Sequence, residues 1–348
     1  MNLDLLDGVA ARQGLHLAYF DSYRLELSHK QLLKATLLKE QAMLTAWQDW
    51  RNSVDIETLD ASSYSLLPQL YQNLLAHGVD DTEMSRLKGI YRRNWYANQL
   101  KLKSLKAILS SLKDIGIEAI VLGDAAWGGI GKNKIENYRS ISSFHLLVDG
   151  NYLETAIEHL ISLNWHSVDG TSQQFRELRN NCDSSLNLPL YLQGHLFWAI
   201  PQDYTDGQVW HYATADWSNE AGWHLSPTDQ FLDGCARMFF RQRLPKSSNP
   251  QIHRIADAFL LIANLPNNDW IRLITQAQRY QMILPVQNML RLLQQLSALE
   301  LPTWVWPALW QMPIANMEWL KYRVLSGDRR SLMRSTIVQS LQLLTLSK

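Results

Sequence analysis

Ser143 and His145 stand one residue apart inside a short apolar run, ISSFHLLV (141–148). At that spacing two side chains share one face of a strand. A serine hydroxyl there is a weak neutral metal ligand, and imidazole suits zinc, copper or nickel better than magnesium. No further ligand at a metal-site spacing accompanies His145, and the two cysteines, Cys182 and Cys235, fall in no such spacing either. A histidine inside a strand is more often a hydrogen-bonded core residue. Upstream, Gly123-Asp124 forms a turn between the apolar run IEAIVL (117–122) and a short helical stretch. Free N–H groups at a helix start welcome phosphate, but Asp124 offers them a carboxylate, as a helix cap does. A phosphate charge ~4 Å from that carboxylate is repelled by up to about 4 kcal/mol at an effective dielectric near 20. GGIGKN (128–133) resembles a phosphate loop, yet Ala126 occupies its first glycine position and Asn133 its Ser/Thr. Arg139, in the following loop, suits either an anion or a structural ion pair. No nucleophile-elbow motif is present.

The elements around these residues follow from periodicity. Helical apolar spacing runs over 32–51, 66–77 and 84–115, and Gly116 supplies a stop. Residues 117–122 and 141–148 predict buried strands, with a short helix over 124–130 between them. Asn151 is placed to cap a helix whose face carries Leu153, Ala156, Ile157, Leu160 and Ile161. Strands are expected at 165–168 and, once or twice, within 186–200. Ser226-Pro227-Thr228-Asp229 is a strong helix start. Further helices are expected at 251–262, 270–281, 285–299, 317–325 and 330–346. The fold class is therefore α/β: a helical lobe over 1–115, a small mixed-sheet core over 116–222, and a second helical lobe over 223–348.

Composition narrows the function classes. Lys+Arg and Asp+Glu both number 33, so no global positive field points to nucleic acid or an anionic membrane, although a local patch is compatible with that sum. The longest apolar stretch, around 258–265, is too short to cross a bilayer. The acidic start lacks signal-peptide regions, and with two unspaced cysteines a reducing cytoplasm is the expected setting. The 14 tryptophans, several late (Trp304, Trp306, Trp310, Trp319), fit a packed helical lobe or an aromatic docking surface.

Several segments in order carry a resemblance: LLPQLYQNLLAHGV, then GIEAIVLGDAAW, YRSISSFHLLVDGNYLETAIEHLISLNWHSV, HLSPTDQFLDGCARMFF, and HRIADAFLLIANLPNNDWIRLITQAQRYQMILPV. Together they resemble the uncharacterised nucleotidyltransferase family of the polymerase-beta-like superfamily, over roughly residues 60–300. The resemblance implies a strand ending in a Lys-Gly turn, a loop arginine, Asp-x-Asp on the next strand and a third acid on a neighbouring one. Such acids hold two magnesium ions while a nucleoside triphosphate is attacked at its alpha phosphate. This chain departs at every acid: Ser143 and His145 replace the pair, and Tyr191 falls at the third position within a residue or two, in a segment (186–201) with no Asp or Glu. Gly123-Asp124 replaces Lys-Gly, and Arg139 alone matches.

The reading that follows is a nucleotidyltransferase-fold protein without metal-dependent catalysis. It would act as a binding or scaffold protein for a protein or peptide, with neither nucleic acid nor membrane indicated. The degenerate nucleotide-pocket positions are Gly123, Asp124 and Arg139, and vestigial nucleotide binding through Arg139 is an intermediate possibility. The alternative is an active enzyme using magnesium and an NTP, with acids relocated among Glu118, Asp124, Glu136 and Asp149.

Overall fold

In the computed structural model, residues 25–128, 139–168, 175–180, 188–197, 206–215, 222–240, 251–297, 299–316 and 318 are described. Their strands form one seven-stranded mixed sheet in the order β3-β4-β5-β2-β1-β7-β6. The strands are β1 (Ala119–Leu122), β2 (Phe144–Val148), β3 (Trp165–Ser167), β4 (Phe175–Asn180), β5 (Leu190–Gln193), β6 (Thr214–Ala215) and β7 (Trp223–His224). β2 runs antiparallel to β1 and parallel to β5, with His145 opposite Leu122 on one side and Tyr191 on the other.

The period-two alternation of the central strands divides two cores. Ala119, Val121, Phe144, Leu146, Val148, Leu190 and Leu192 face one cluster, while Ile120, Leu122 and Leu147 face the other. By the same alternation Ser143, His145, Tyr191 and Gln193 lie on the second face, beside Leu147.

The helices before β1 are α1 (Leu27–Leu37), α2 (Glu40–Ser53), α3 (Ala61–Tyr64), α4 (Leu67–Ala76) and α5 (Met84–Asp114). α6 (Leu153–Ser162) and α7 (Gly207–Tyr212) lie between strands. After β7 come α8 (Pro227–Phe240), α9 (Ile252–Ile262), α10 (Asn267–Arg279), α11 (Ile283–Leu296) and α12 (Val305–Gln311). Residues of α1, α2 and α4 share one hydrophobic cluster with α8–α12. The C-terminal half of α5, with α6, covers the opposite sheet face.

Several local expectations are refined. The run over 32–51 is two helices, not one: Leu38 and Lys39 are extended, Glu40 has φ 51°, and the Asn73 side chain donates to the carbonyls of Ala35 and Leu38 at 2.9 Å each. A side chain from α4 thus satisfies acceptors that the break exposes. Asn151 is not the cap expected of it. Asp149 accepts from the Asn151 N–H at 2.8 Å and starts a 3-10 turn (Gly150–Tyr152) that leads into α6. Ile161 is exposed rather than on the buried face of α6, because the four residues Leu153, Ala156, Ile157 and Leu160 already fill it. Gly116, at φ 77°, closes α5 as expected, with its N–H on Lys113 and that of Ile117 on Leu112. The expected helix at 330–346, most of that at 317–325, Trp319, Cys182, Glu136 and most of GGIGKN lie outside the described residues.

Candidate functional site

β2 enters the sheet from the loop carrying Arg139, and α5 holds that loop in place. The Asn98 side chain donates to the Arg139 carbonyl at 2.6 Å and accepts from the Ile141 N–H at 3.2 Å. Lys101 donates to the Ile141 carbonyl at 2.6 Å, and burial pulls its ammonium below its ordinary pKa. Ser143 and His145 therefore start β2 in a fixed register.

On the shared face their side chains meet: Ser143 Oγ lies 2.9 Å from His145 Nε2. The imidazole stacks on Tyr191 with centroids 4.7 Å apart and planes at 21°. Arg237, from α8, brings Nη1 to 3.4 Å from His145 Nδ1, and its Nε donates to Asp233 Oδ2 at 2.6 Å. A guanidinium has donors only, so Nδ1 must accept. This selects the neutral Nε2–H tautomer, with Ser143 Oγ as the acceptor. The result is a buried chain, Asp233–Arg237–His145–Ser143. Gly123 closes against it with φ 65°, a Cβ there meeting His145 at 3.5 Å and Arg237 at 3.8 Å. Asp124 follows in the 3-10 turn Gly123–Gly128, where the Ser142 hydroxyl donates to it at 3.5 Å.

Arg139 turns away from this chain. Its Nε donates to Asp257 Oδ1 at 2.5 Å and its Nη2 to Gln69 Oε1 at 2.7 Å and to the His253 carbonyl at 3.3 Å. It ties the sheet loop to α4 and α9, with its side chain 3% exposed. Burial raises the Asp257 carboxyl to about 6 against the opposing pull of Arg139. His253, desolvated and near Arg254, is lowered to about 3, and its Nδ1 sits 3.1 Å from Ser62 Oγ. Burial also lowers the Arg254 guanidinium, opposed by Asp124, Asp233 and Asp257. Three arginines (139, 237, 254) and three aspartates (124, 233, 257) thus gather in this region, and Asp233, Arg254 and Asp257 of them line one cleft. Gly123, Trp127, Phe231, Asp233, Arg254 and Asp257 are among its walls, and its inner free volume of about 20 Å³ is room for about one water.

Of the positions expected from sequence, Ser143, His145, Tyr191 and Gly123 come together, Asp124 lies at the turn beside them, and Arg139 belongs to a different contact set. Sequence reading missed Arg237, Asp233, Arg254 and Gln69. The i,i+4 spacing of Asp233 and Arg237 on α8 was the available signal for one pair.

These residues do not fit a magnesium pair. The donors at the expected carboxylate positions are a hydroxyl, an imidazole whose two nitrogens are engaged, and a phenol, where magnesium requires hard oxygen ligands in an octahedron. A unit cation at ~5 Å repels a divalent ion by about 7 kcal/mol at an effective dielectric near 20, and Arg237, paired with Asp233, stands beside this position. Among the described residues no group of three or more His, Cys, Asp or Glu could hold a metal ion.

Sheet, flanking helices and cleft define a nucleotidyltransferase-like α/β protein. The sequence matches the model of the family described as "Uncharacterised nucleotidyltransferase" over residues 53–298, and the chain belongs to that family. A solved structure, described as an antigenic nucleotidyltransferase-like protein from Paracoccidioides brasiliensis, is similar at 14% identity over 61% of this chain and 92% of that one, with a TM-score of 0.34. No curated protein matches. Among the described residues no helix is long and apolar enough to cross a membrane.

Proposed function

We propose that this is a nucleotidyltransferase-fold binding or scaffold protein that does not carry out metal-dependent nucleotidyl transfer. The observation behind this reading is the Asp233–Arg237–His145–Ser143 chain, which fills with a guanidinium and a neutral imidazole the place where the family resemblance implies carboxylates and cations. Fold and activity are separable in this way. Of the acids that could have relocated, Asp149 accepts from a backbone N–H, Glu118 is exposed, and Asp124 sits at the Gly123 turn beside Ser142, while the further acids Asp233 and Asp257 pair with Arg237 and Arg139. Nucleotide binding through Arg139 is disfavoured because its Nε and Nη2 are committed to Asp257, Gln69 and His253. A protein or peptide partner is supported by exposed aromatics such as Trp310, 62% exposed and stacked on Trp306.

The test is label transfer. Purified full-length protein incubated with each alpha-labelled NTP and magnesium or manganese is expected to leave all label in free nucleotide. Label on the protein or on an added acceptor, lost in Asp233→Asn, would overturn the reading.

A further inference from the structure

The neutral total charge of the chain conceals a segregated one. α5 is 31 residues long and carries eight Lys or Arg against a single acid, Asp114. At its start Arg86 pairs with Glu57 and Glu83, but from Lys88 to Lys113 the helix sequence contains no acid. Its apolar stripe, Leu87, Leu102, Leu105, Ile108, Leu109 and Leu112, is buried against the protein. The opposite face is solvent-exposed and reads Lys88, Arg92, Tyr96, Gln99, Lys103, at helical spacings of three and four. Arg93, Trp95 and Leu100 flank it. Tyr96 is 63% exposed and Trp95 45%. Three exposed cations, with Arg93 beside them, and two exposed rings, Trp95 and Tyr96, therefore share about 22 Å of helix.

We infer that this face of α5 binds single-stranded nucleic acid. A basic track that follows phosphates, with rings on which bases stack, is the general solution for sequence-tolerant single-strand binding. Other occupants fit less well. An anionic membrane needs an insertable apolar stripe, and here that stripe is buried in the core. A second copy would bring like charges together. An acidic protein would meet a lysine-bearing centre, whereas protein interfaces are depleted of lysine. The contacts available, phosphates and base faces, are common to RNA and DNA, so the surface is indifferent to the sugar. The inference does not rest on the loss of catalysis, because α5 offers this face on the side away from the one that holds Arg139 and Ile141.

The test is fluorescence anisotropy of the full chain with labelled oligouridylate and oligothymidylate of equal length at low salt. Wild type is expected to bind both, with a log–log salt slope that Lys88→Glu/Arg92→Glu/Lys103→Glu reduces by about 2, at roughly 0.7 per phosphate contact, and with affinity falling at least a hundredfold. Trp95→Ala/Tyr96→Ala is expected to weaken binding by at least about thirtyfold at an unchanged salt slope, and Trp95→Phe/Tyr96→Phe to restore most of it. These side chains are exposed, and unchanged circular dichroism verifies folding. Three outcomes each overturn the inference: no binding by wild type, binding that the aromatic replacements leave untouched and heparin matches, or binding to anionic vesicles or acidic peptides in preference to the oligonucleotides.

Discussion

The cleft beside His145 and the outer face of α5 hold the same kinds of side chain in opposite arrangements. In the cleft each arginine has an aspartate near it, the charges cancel, and the groups are buried. On the outer face of α5, Lys88, Arg92 and Lys103 are exposed, on a helix that carries a single acid. Buried charges persist only when paired, so the cleft is selected for internal complementarity. Exposed charges need no pair and stay available to an outside ligand. The region the family resemblance marks for ligand binding thus holds its charges mostly in pairs, and a more open set of cations lies elsewhere.

The largest expected effect comes from breaking the cleft's tightest pair. Arg139→Ala leaves the buried Asp257 without its hydrogen-bonded cation and should cost about 3–5 kcal/mol in urea unfolding, whereas Arg139→Met with Asp257→Leu should recover most of that loss. A single variant as stable as wild type would show that the pair is not the internal clamp described.

Acid titration sharpens the contrast next. His253 is lowered to about 3, so its contribution is present above the unfolded value near 6.5 and is lost as pH falls toward 3. Between pH ~7 and pH ~5 wild type should lose about 2 kcal/mol that His253→Asn does not lose. Asp257, raised to about 6, acts with the opposite sign, because its contribution is present below about 4 and lost as pH rises through 6. The difference between the two proteins, followed by thermal melts across this window, isolates the histidine. Parallel melts would contradict its burial as a neutral group.

Smaller effects test the turn and the surface. Gly123→Ala should cost about 1 kcal/mol, from the left-handed backbone alone, since the added Cβ meets His145 at an ordinary 3.5 Å. Smallest of all, Lys103→Glu on α5 should change stability by less than about 0.5 kcal/mol. An equal penalty at Lys103 and at the cleft would dissolve the distinction between the two regions.

The fold was legible where periodicity and caps are strong. Gly116 after α5 and Ser226 before Pro227 sit where the sequence puts them; the Ser226 hydroxyl accepts from the Asp229 N–H at 3.3 Å. The break between α1 and α2 was not legible, because no glycine or proline marks it and its stabiliser, Asn73, lies in another helix. β4, with the sequence FRELRN, was missed because its alternation is mostly among polar residues. At the site, Ser143, His145 and Tyr191 could be aligned by strand register, but Arg237 and Arg254 reach the cleft from helices packed onto the sheet. Such tertiary juxtaposition leaves little trace in local spacing. The surface of α5 was hidden in a charge total summed over the whole chain.

The central claim is that the cleft is no longer a metal–nucleotide site. Calorimetric titration of the full-length protein with ATP, GTP, CTP and UTP, each with and without magnesium, tests it most directly. The account predicts no magnesium-dependent heat of binding for any of the four. Saturable, magnesium-dependent binding of one NTP, abolished by Asp233→Asn, would contradict it.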